Sequence, residues 1–263
     1  MDGRRLKAAM AEGELVVGTM ITDLWSPAIA PILAAADFDF FVLDMEHGPF
    51  GLEGLTAIAL ASRGANIAPI VRIPWHTREN VQRPLDAGAA GLLVPGVESR
   101  EMIEQIGRWA KYAPDGERGV ALRRAHTAYR QVDTVAYMAE ANASTILVAQ
   151  IETVRGVERI DEICTVPGVD GLLIGTNDLS QSLGVPGQIS HSSVVQAIER
   201  VTTAGRARKL AVGIHLRDTA SLRRWMAAGM RWMMLSTEVS LLADAALGQV
   251  QELKSGRTGS TRH

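Results

Sequence analysis

Three titratable side chains close an apolar run in the segment FVLDMEHGPF, residues 41–50. The run is typical of a buried strand, and Asp44, Glu46 and His47 come at its end. Ionised groups are costly to bury unless they are paired or used in chemistry. Because histidine can exchange a proton near neutral pH, the segment predicts a strand that ends at a proton-transfer site, with Asp44 and Glu46 beside His47.

Polar residues also close five other apolar runs. They are Arg72, Glu152, Asn177 with Asp178, His215, and Thr237 with Glu238. The beginnings of the runs are mostly Gly, Ala and Thr, so the polar groups concentrate at one end. If the runs are parallel strands of one barrel, these ends share a rim, which is where barrel enzymes hold their active sites.

Glu152 and Asp178 are the natural pair for a hard divalent cation. Two carboxylates from adjacent strands leave the remaining octahedral positions to water and a chelating substrate. The chain has no cysteine pair and no closely spaced histidine pair that would favour zinc. Taken singly, each carboxylate is equally well explained as a helix N-cap or a salt-bridge partner. Their places on neighbouring strands favour a metal site.

Arg72 in PIVRIP supplies a permanent cation at a strand end. It fits a role in holding a carboxylate or a developing oxyanion, and it also fits an internal ion pair with Asp44 or Glu46. Asp86 in RPLDAGAAG is a residue near a helix C-terminus that spacing alone does not single out. No lysine lies at any strand end, which argues against Schiff-base chemistry.

The elements that must position these residues are eight short apolar runs. They are LVVGTM (15–20), FFVLDM (40–45), APIVRI (68–73), GLLVPG (91–96), TILVAQIE (145–152), GLLIGT (171–176), LAVGIH (210–215) and WMMLST (232–237). Each is too short and too continuously apolar for a surface helix, and helical patterns lie between them. The alternation predicts an α/β fold, a (β/α)8 TIM barrel. We expect one domain over residues 1–263, with a core at about 15–250 and a polar tail at 255–263.

Local signals mark the ends of the predicted helices. Gly64 and Gly229 follow helical patterns where a left-handed cap is expected, and Ser26 before Pro27 fits an N-cap. The interval between the fourth and fifth runs is longer than the others. It contains KYAPDGERGVALRRAHTAYR, which predicts a long loop and an extra helix, and loops of that length are usually functional.

Composition limits the classes of function. Lys plus Arg (27) and Asp plus Glu (29) nearly cancel, so no overall positive charge is present to bind nucleic acid or an anionic membrane. No apolar stretch approaches the roughly 20 residues that cross a bilayer. The single cysteine, Cys164, forms no internal disulfide, and no secretory signal begins the sequence. We expect a cytoplasmic protein that acts on small molecules.

Six segments together resemble the HpcH/HpaI family of class II pyruvate aldolases. In order along the chain they are LDMEHGPF, PIVRIPW, LDAGAAGLLVPGVES, ERG in the long loop, QIET and IGTNDLSQSLGVPG. One such segment is a weak signal, whereas six in this order are specific. The resemblance implies a metal-dependent, usually hexameric aldolase. Such a lyase cleaves 4-hydroxy-2-oxo acids reversibly to pyruvate, or a related 2-oxo acid, and an aldehyde, through a metal-bound enolate.

The resemblance also implies roles for individual residues. Glu152 and Asp178 would be the ligands of Mg²⁺ or Mn²⁺, or of Co²⁺. Arg72 would face the 2-oxo oxygen and stabilise the enolate. His47 would handle the proton of the 4-hydroxyl group through a water, and Asp86 would orient His47.

The remaining implied contacts concern the substrate. Gln150 and the backbone of Gly175, Thr176 and Asn177 would seat the keto acid.

Three features depart from the family pattern, and we expect all three on the aldehyde side of the pocket. Met20 stands where tryptophan is frequent, His215 where an aliphatic residue is common, and RGVALRRAHTAYR replaces a run of small residues. We therefore expect retained chemistry with an altered acceptor aldehyde. Arg123 or Arg124 would bind an anionic tail of that substrate, and the alternative is a surface or subunit contact.

Two other functions fit part of the pattern. A CoA-ester lyase of the citrate lyase beta type uses a similar barrel, but the chain lacks a basic segment for CoA. A non-catalytic barrel that binds a keto acid would need neither His47 nor Asp86.

Overall fold

Eight parallel strands, β1 to β8, form a closed barrel in the computed structural model, which describes residues 1–255. The strands are β1 Val16–Ile21, β2 Phe40–Asp44, β3 Ala68–Arg72, β4 Gly91–Val94, β5 Ile146–Ile151, β6 Gly171–Ile174, β7 Ala211–Leu216 and β8 Trp232–Thr237. Six lie within one predicted run, and β1 and β7 each extend one residue past theirs, so the predicted (β/α)8 barrel is confirmed. Most of the predicted polar tail, residues 256–263, lies outside the described residues.

Helices surround the barrel. They are α1 Gly3–Glu12, α2 Ile29–Ala35, α3 Leu52–Ala65, α4 Arg78–Ala87, α5 Arg100–Ala110, α6 Thr134–Ser144, α7 Val154–Glu158, α8 Ile160–Ile163, α9 Thr176–Ser182, α10 Ser192–Ala207, α11 Thr219–Ala227 and α12 Glu238–Ser255. Within residues 1–255, none of them has the length and apolar character needed to cross a membrane.

The apolar side chains form two layers. Inside the barrel, Phe40 and Trp232 meet edge to face with ring centroids 4.9 Å apart, and Met10 of α1 belongs to the same cluster. The helix α1, which the sequence patterns did not predict, therefore closes the amino ends of the strands. The second layer fills the space between the strands and the outer helices and includes Trp225 and Met230. Apolar burial on both faces explains why the strands read as continuous apolar runs.

The structure corrects one predicted helix end and shifts another. Helix α3 runs through Gly64 and ends at Asn66, which adopts the left-handed conformation (φ 56°). Helix α2 begins at Ile29, and the Ser26 hydroxyl accepts from the amide of Ala28 at 3.3 Å rather than capping a helix at Pro27. Gly229 has φ 100° two residues after the last residue of α11, and so takes the left-handed conformation that was expected near this helix end. Asparagine tolerates positive φ, which is why Gly64 was not needed.

The long segment between β4 and β5 contains the predicted extra helix, α6. Before α6, residues 111–133 hold one 3-10 turn, Ala125–Thr127, which packs against α3 and α4. Helix α5 runs back along β4, and β5 must start at the amino end of the barrel. The segment therefore lies at that end.

Candidate active site

A cavity of about 330 Å³ opens at the carboxyl ends of the strands. The structure brings five predicted side chains to it: His47, Arg72, Gln150, Asp178 and His215. Gly175, Thr176 and Asn177 form one wall, and Met20 lies on another. Strand ends from five parts of the chain thus converge as the spacing predicted.

Asp44 and Arg72 are register partners on β2 and β3, so their ion pair is built into the sheet. Arg72 donates from Nε to Asp44 Oδ1 at 2.9 Å and from Nη2 to Oδ2 at 2.6 Å. Burial raises the pKa of Asp44, but the hydrogen bonds and charge of Arg72 outweigh it, and the pKa is lowered overall. Asp44 therefore stays ionised and fixes the guanidinium in one orientation.

Glu46 connects this pair to His47. Its Oε2 lies 3.3 Å from Arg72 Nη1 and 3.8 Å from His47 Nε2. Burial raises the pKa of Glu46, and the negative charges of Asp44 and Asp178 add to this effect against the opposing charge of Arg72. The amide of His47 donates to Asp44 Oδ1 at 3.2 Å, while its side chain is 70% exposed. His47 is thus held by its backbone and leaves its ring open to solvent and substrate.

Glu152 is a buried carboxylate just after β5. Its Oε1 accepts from the amide of Gly96 at 2.6 Å, and its Oε2 accepts from Gln150 Nε2. Burial raises the pKa of Glu152 to about 7, and the charges of Asp178 and Glu46 add to that rise. A nearby cation would relieve this accumulation of negative charge.

The donor set suits a hard cation. A Cβ on Gly175 would lie 2.4 Å from Glu152 Oε2, so only glycine leaves room for that carboxylate. Gln150 Oε1 is buried without a hydrogen-bond partner in the described chain, and a carbonyl oxygen is a ligand of the same kind. No cluster of three or more His, Cys, Asp or Glu suited to a metal occurs in residues 1–255. Glu152 and Asp178 would therefore leave positions open to water and substrate.

His215 on β7 is tied to a strained position on β8. Its Nε2 lies 2.8 Å from the carbonyl oxygen of Ser236, which also accepts from the Thr19 hydroxyl at 3.2 Å. Ser236 has φ 54°, which is uncommon for a residue with a side chain. Burial lowers the pKa of His215. No sequence pattern pointed to Ser236, because positive φ at a serine leaves no local signal.

Asp86 lies away from His47 in the described chain. It sits in the last turn of α4, near the amino ends of the strands, and Arg118 Nη2 donates to its Oδ1 at 2.6 Å. Its carbonyl oxygen faces His126 Nδ1 at 3.0 Å. The implied contact between Asp86 and His47 is therefore not formed within one copy. Helix α4 spans about 15 Å, which separates its last turn from the catalytic rim.

The loop placed on the aldehyde side is also elsewhere. Arg123 is exposed, donates from Nη2 to Gln131 Oε1 at 2.6 Å, and does not line the rim cavity. Arg124 lines a separate surface cavity together with Asp86. The expectation that this loop borders the pocket is wrong for a single copy, because the segment follows α5 to the amino end of the barrel.

Glu238 is a residue whose role the sequence did not reveal. Its buried carboxylate accepts from the amides of Thr22, Asp23 and Leu24 at 2.7 to 2.9 Å. It thereby fixes the loop after β1, next to Met20. An acidic residue at a strand end was visible, but its partners lie more than two hundred positions away in the sequence.

Comparison with known proteins agrees with this geometry. The sequence profile of the HpcH/HpaI aldolase/citrate lyase family matches residues 20–245. A hydroxypyruvate/pyruvate aldolase of Roseovarius nubinhibens is 38% identical over 91% of this chain and 93% of its own length. A 5-keto-4-deoxy-D-glucarate aldolase of Shigella dysenteriae is 32% identical over 92% of this chain and 93% of its own length.

A solved structure shows the same likeness. The HpcH/HpaI aldolase of Desulfitobacterium hafniense superposes with a TM-score of 0.90 at 35% identity, covering 95% of this chain and 96% of its own. The chain belongs to the HpcH/HpaI aldolase/citrate lyase family and is a carbon–carbon lyase.

Proposed function

We propose that this chain, a class II pyruvate-type aldolase, reversibly cleaves 4-hydroxy-2-oxo acids to pyruvate, or a related 2-oxo acid, and an aldehyde. The observation that carries the proposal is one cavity lined by the pinned guanidinium of Arg72 and the carboxylate of Asp178, with the buried carboxylate of Glu152 directly behind Gln150 and Gly175 of its wall. Cleavage of the C3–C4 bond leaves an electron pair on C3. The resulting enolate is stable only where positive charge meets its oxygen.

Arg72 has donors left for that oxygen. A guanidinium carries five N–H groups. Asp44 takes one from Nε and one from Nη2, and Glu46 Oε2 lies within reach of Nη1. Two N–H groups remain, and Asp44 holds them in place before substrate arrives. This preorganisation is the physical basis for stabilising the enolate.

Glu152 and Asp178 would hold a divalent metal, Mg²⁺, Mn²⁺ or Co²⁺. Bound there, the ion supplies a Lewis acid for the 2-oxo group. Gln150 and the wall of Gly175, Thr176 and Asn177 would seat the keto acid. Burial raises the pKa of Glu152 to about 7, and a cation bound there would displace the proton and keep the carboxylate ionised.

His47 would take the proton of the 4-hydroxyl group during cleavage, through a water, and return it during addition. Its exposed ring stands at the cavity mouth, where the leaving aldehyde must pass. The backbone bond to Asp44 and the nearby Glu46 carboxylate limit its motion. Histidine exchanges protons readily near neutral pH, which suits both directions.

Within one copy of the chain, Asp86 and His47 lie far apart. Asp86 would therefore orient the His47 side chain of a second copy. A homo-oligomer, hexameric by resemblance, is supported by apolar side chains that α12 leaves exposed. They are Val239, Leu242, Leu247, Val250 and Leu253. Mixing an inactive His47→Gln protein with an inactive Asp86→Asn protein, after dissociation and reassembly, should restore part of the activity. If activity does not recover although mass spectrometry shows mixed oligomers, the hypothesis that two copies share one active site is wrong.

The first test avoids the unknown aldehyde. The protein is incubated with pyruvate in D2O, with Mn²⁺ or Mg²⁺ and separately with EDTA, and loss of the methyl proton signal is followed by NMR. We expect exchange that needs the metal and is lost in Asp178→Asn. Absence of exchange with every divalent metal would exclude pyruvate as the nucleophile of this site.

A further inference from the structure

His215 presents one ring nitrogen to the rim cavity as a hydrogen-bond acceptor. A carbonyl oxygen only accepts, so the 2.8 Å contact with Ser236 means that Nε2 carries the proton and donates it. In a neutral imidazole the other nitrogen, Nδ1, then has a free lone pair. Nδ1 has no hydrogen-bond partner within residues 1–255, and His215 lines the cavity.

The protein holds this tautomer at a cost. Ser236 adopts φ 54°, a conformation that is uncommon and unfavourable for a residue with a side chain. The strained peptide directs its carbonyl to both His215 and the Thr19 hydroxyl. Local strain maintained behind a side chain that lines the cavity, here His215, is consistent with a functional constraint on that side chain.

His215 also lines the same cavity as Arg72 and Gln150. Burial lowers the pKa of His215, and the charges of Arg72 and Asp44 also act on the ring. Arg72 is the group that we assign to the enolate oxygen. A 2-oxo acid whose enolate oxygen meets Arg72 in this cavity would therefore bring C3, the carbon that is deprotonated, toward His215. Across the rim, the titratable groups that line the cavity with His215 are His47, Arg72 and Asp178.

We propose that His215 selects 2-oxo acids that carry a hydroxyl group on C3, because its Nδ1 accepts a hydrogen bond from that hydroxyl. Hydroxypyruvate is the smallest such acid. The methyl group of pyruvate has no donor and leaves Nδ1 unpaired. A site whose polar group is satisfied by one substrate and left unpaired by another discriminates between them. The inference rests on the proposed function and gives its nucleophile a chemical class.

The test measures a ratio within single samples. Hydroxypyruvate and pyruvate are mixed in D2O with Mn²⁺, and the rates at which each loses its C3 proton to deuterium give the ratio of their kcat/KM values. In His215→Leu we expect the hydroxypyruvate to pyruvate ratio to fall about tenfold, since one neutral hydrogen bond is lost. His215→Asn, which restores an acceptor near Nδ1, should recover part of the ratio. The active fraction cancels in the ratio, so reduced folding does not obscure it.

Thr19→Val is the matched control, because it removes the other hydrogen bond to the Ser236 carbonyl and leaves the acceptor in place. Its ratio should equal that of the wild type. An unchanged ratio in His215→Leu, or an equal fall in Thr19→Val, overturns the inference. A ratio that stays constant while the preference between glycolaldehyde and acetaldehyde shifts also overturns it, by moving the recognised hydroxyl to the aldehyde. No exchange of either acid in the wild type overturns the proposed function instead.

Discussion

An arginine donates to an aspartate at each end of this barrel, and the two pairs differ in what surrounds them. At the carboxyl end, Arg72 makes two hydrogen bonds to Asp44 and faces the further carboxylates of Glu46 and Glu152. At the amino end, Arg118 makes one hydrogen bond to Asp86 and lies 4.6 Å from the centre of the Tyr112 ring. At the carboxyl end, the arginine–aspartate pair thus holds the Arg72 guanidinium in position for catalysis.

At the amino end, the pair of Arg118 and Asp86 instead attaches the loop after α5 to helix α4. Arg118 Nε and the Tyr112 hydroxyl are buried without partners in the described chain, and burial raises the pKa of the neighbouring Tyr137 to about 12. Aromatic rings rather than carboxylates surround Arg118, so little there would hold a cation or polarise a substrate. Position at a strand end, and not the ion pair itself, marks the catalytic arginine.

The largest effect should come from breaking the bidentate pair. In Arg72→Lys we expect kcat/KM to fall by about 10²–10³-fold, because a lysine ammonium cannot replace the fork that faces the enolate. Arg118→Lys should keep its single bond to Asp86 and lose much less activity. Steady-state aldol cleavage by both variants decides this, and equal losses would remove the distinction between the two ends.

The second effect concerns Glu152, the buried carboxylate just after β5 at the carboxyl end. The pKa of Glu152 is raised from 4.5 to about 7, so the folded state binds its proton more tightly than the unfolded chain. The free energy of unfolding of chelator-treated protein should therefore fall as pH rises through this window. Relative to Glu152→Gln, we expect a loss on the order of 3 kcal/mol between pH 5 and 8.

Urea unfolding of both proteins in EDTA at pH 5 and pH 8 measures this loss. Adding Mn²⁺ at pH 8 should restore the stability of the wild type and leave Glu152→Gln largely unchanged. The same pH dependence in both proteins would show that Glu152 is not the titrating group.

A third, smaller effect tests how the loop at the rim is held. Glu238→Gln keeps the shape of the side chain but replaces one accepting oxygen with a donor, opposite the amides of Thr22, Asp23 and Leu24. We expect a loss of about 1–3 kcal/mol in stability and a raised KM. Thermal unfolding and kinetics provide the measurement, with the exposed Glu252→Gln on the same helix as control. A loss as large in that control would exclude a specific role for the Glu238 carboxylate.

The smallest effect tests whether residues at the amino end of one copy complete the active site of a second copy. Arg124 shares a surface cavity with Asp86 and makes no side-chain hydrogen bond or ion pair within residues 1–255, whereas Arg123 is tied to Gln131. If Asp86 reaches His47 of a second copy, Arg124 accompanies it. Arg124→Ala should then lower the preference for acidic over neutral aldehydes by up to about tenfold.

Arg123→Ala is the matched control, and we expect its preference between acidic and neutral aldehydes to match the wild type. Competition between glyoxylate and acetaldehyde measures this preference in each variant. Equal behaviour of both variants would confine the two arginines to a structural role.

The sequence by itself determined the strands and the polar residues that close them. Strand character depends on short apolar runs, and a parallel barrel gathers all strand ends at one rim, so Arg72, Glu152 and Asp178 could be placed together without coordinates. The alternative of an internal ion pair between Arg72 and Asp44 or Glu46 was also visible, since neighbouring strands put their ends side by side, and the register of β2 and β3 makes Asp44 the bidentate partner. These inferences depend on local pattern and chain direction alone.

Only the tertiary structure decided which distant groups meet. Asp86 pairs with Arg118 and not with His47, Asn66 rather than Gly64 ends α3, and the Glu238 carboxylate holds a loop far along the chain. The tautomer of His215 depends on the direction of one carbonyl, that of Ser236. Such contacts arise from how helices and loops pack and from single backbone dihedrals, and these depend on free-energy differences of about 1–3 kcal/mol that residue patterns do not encode.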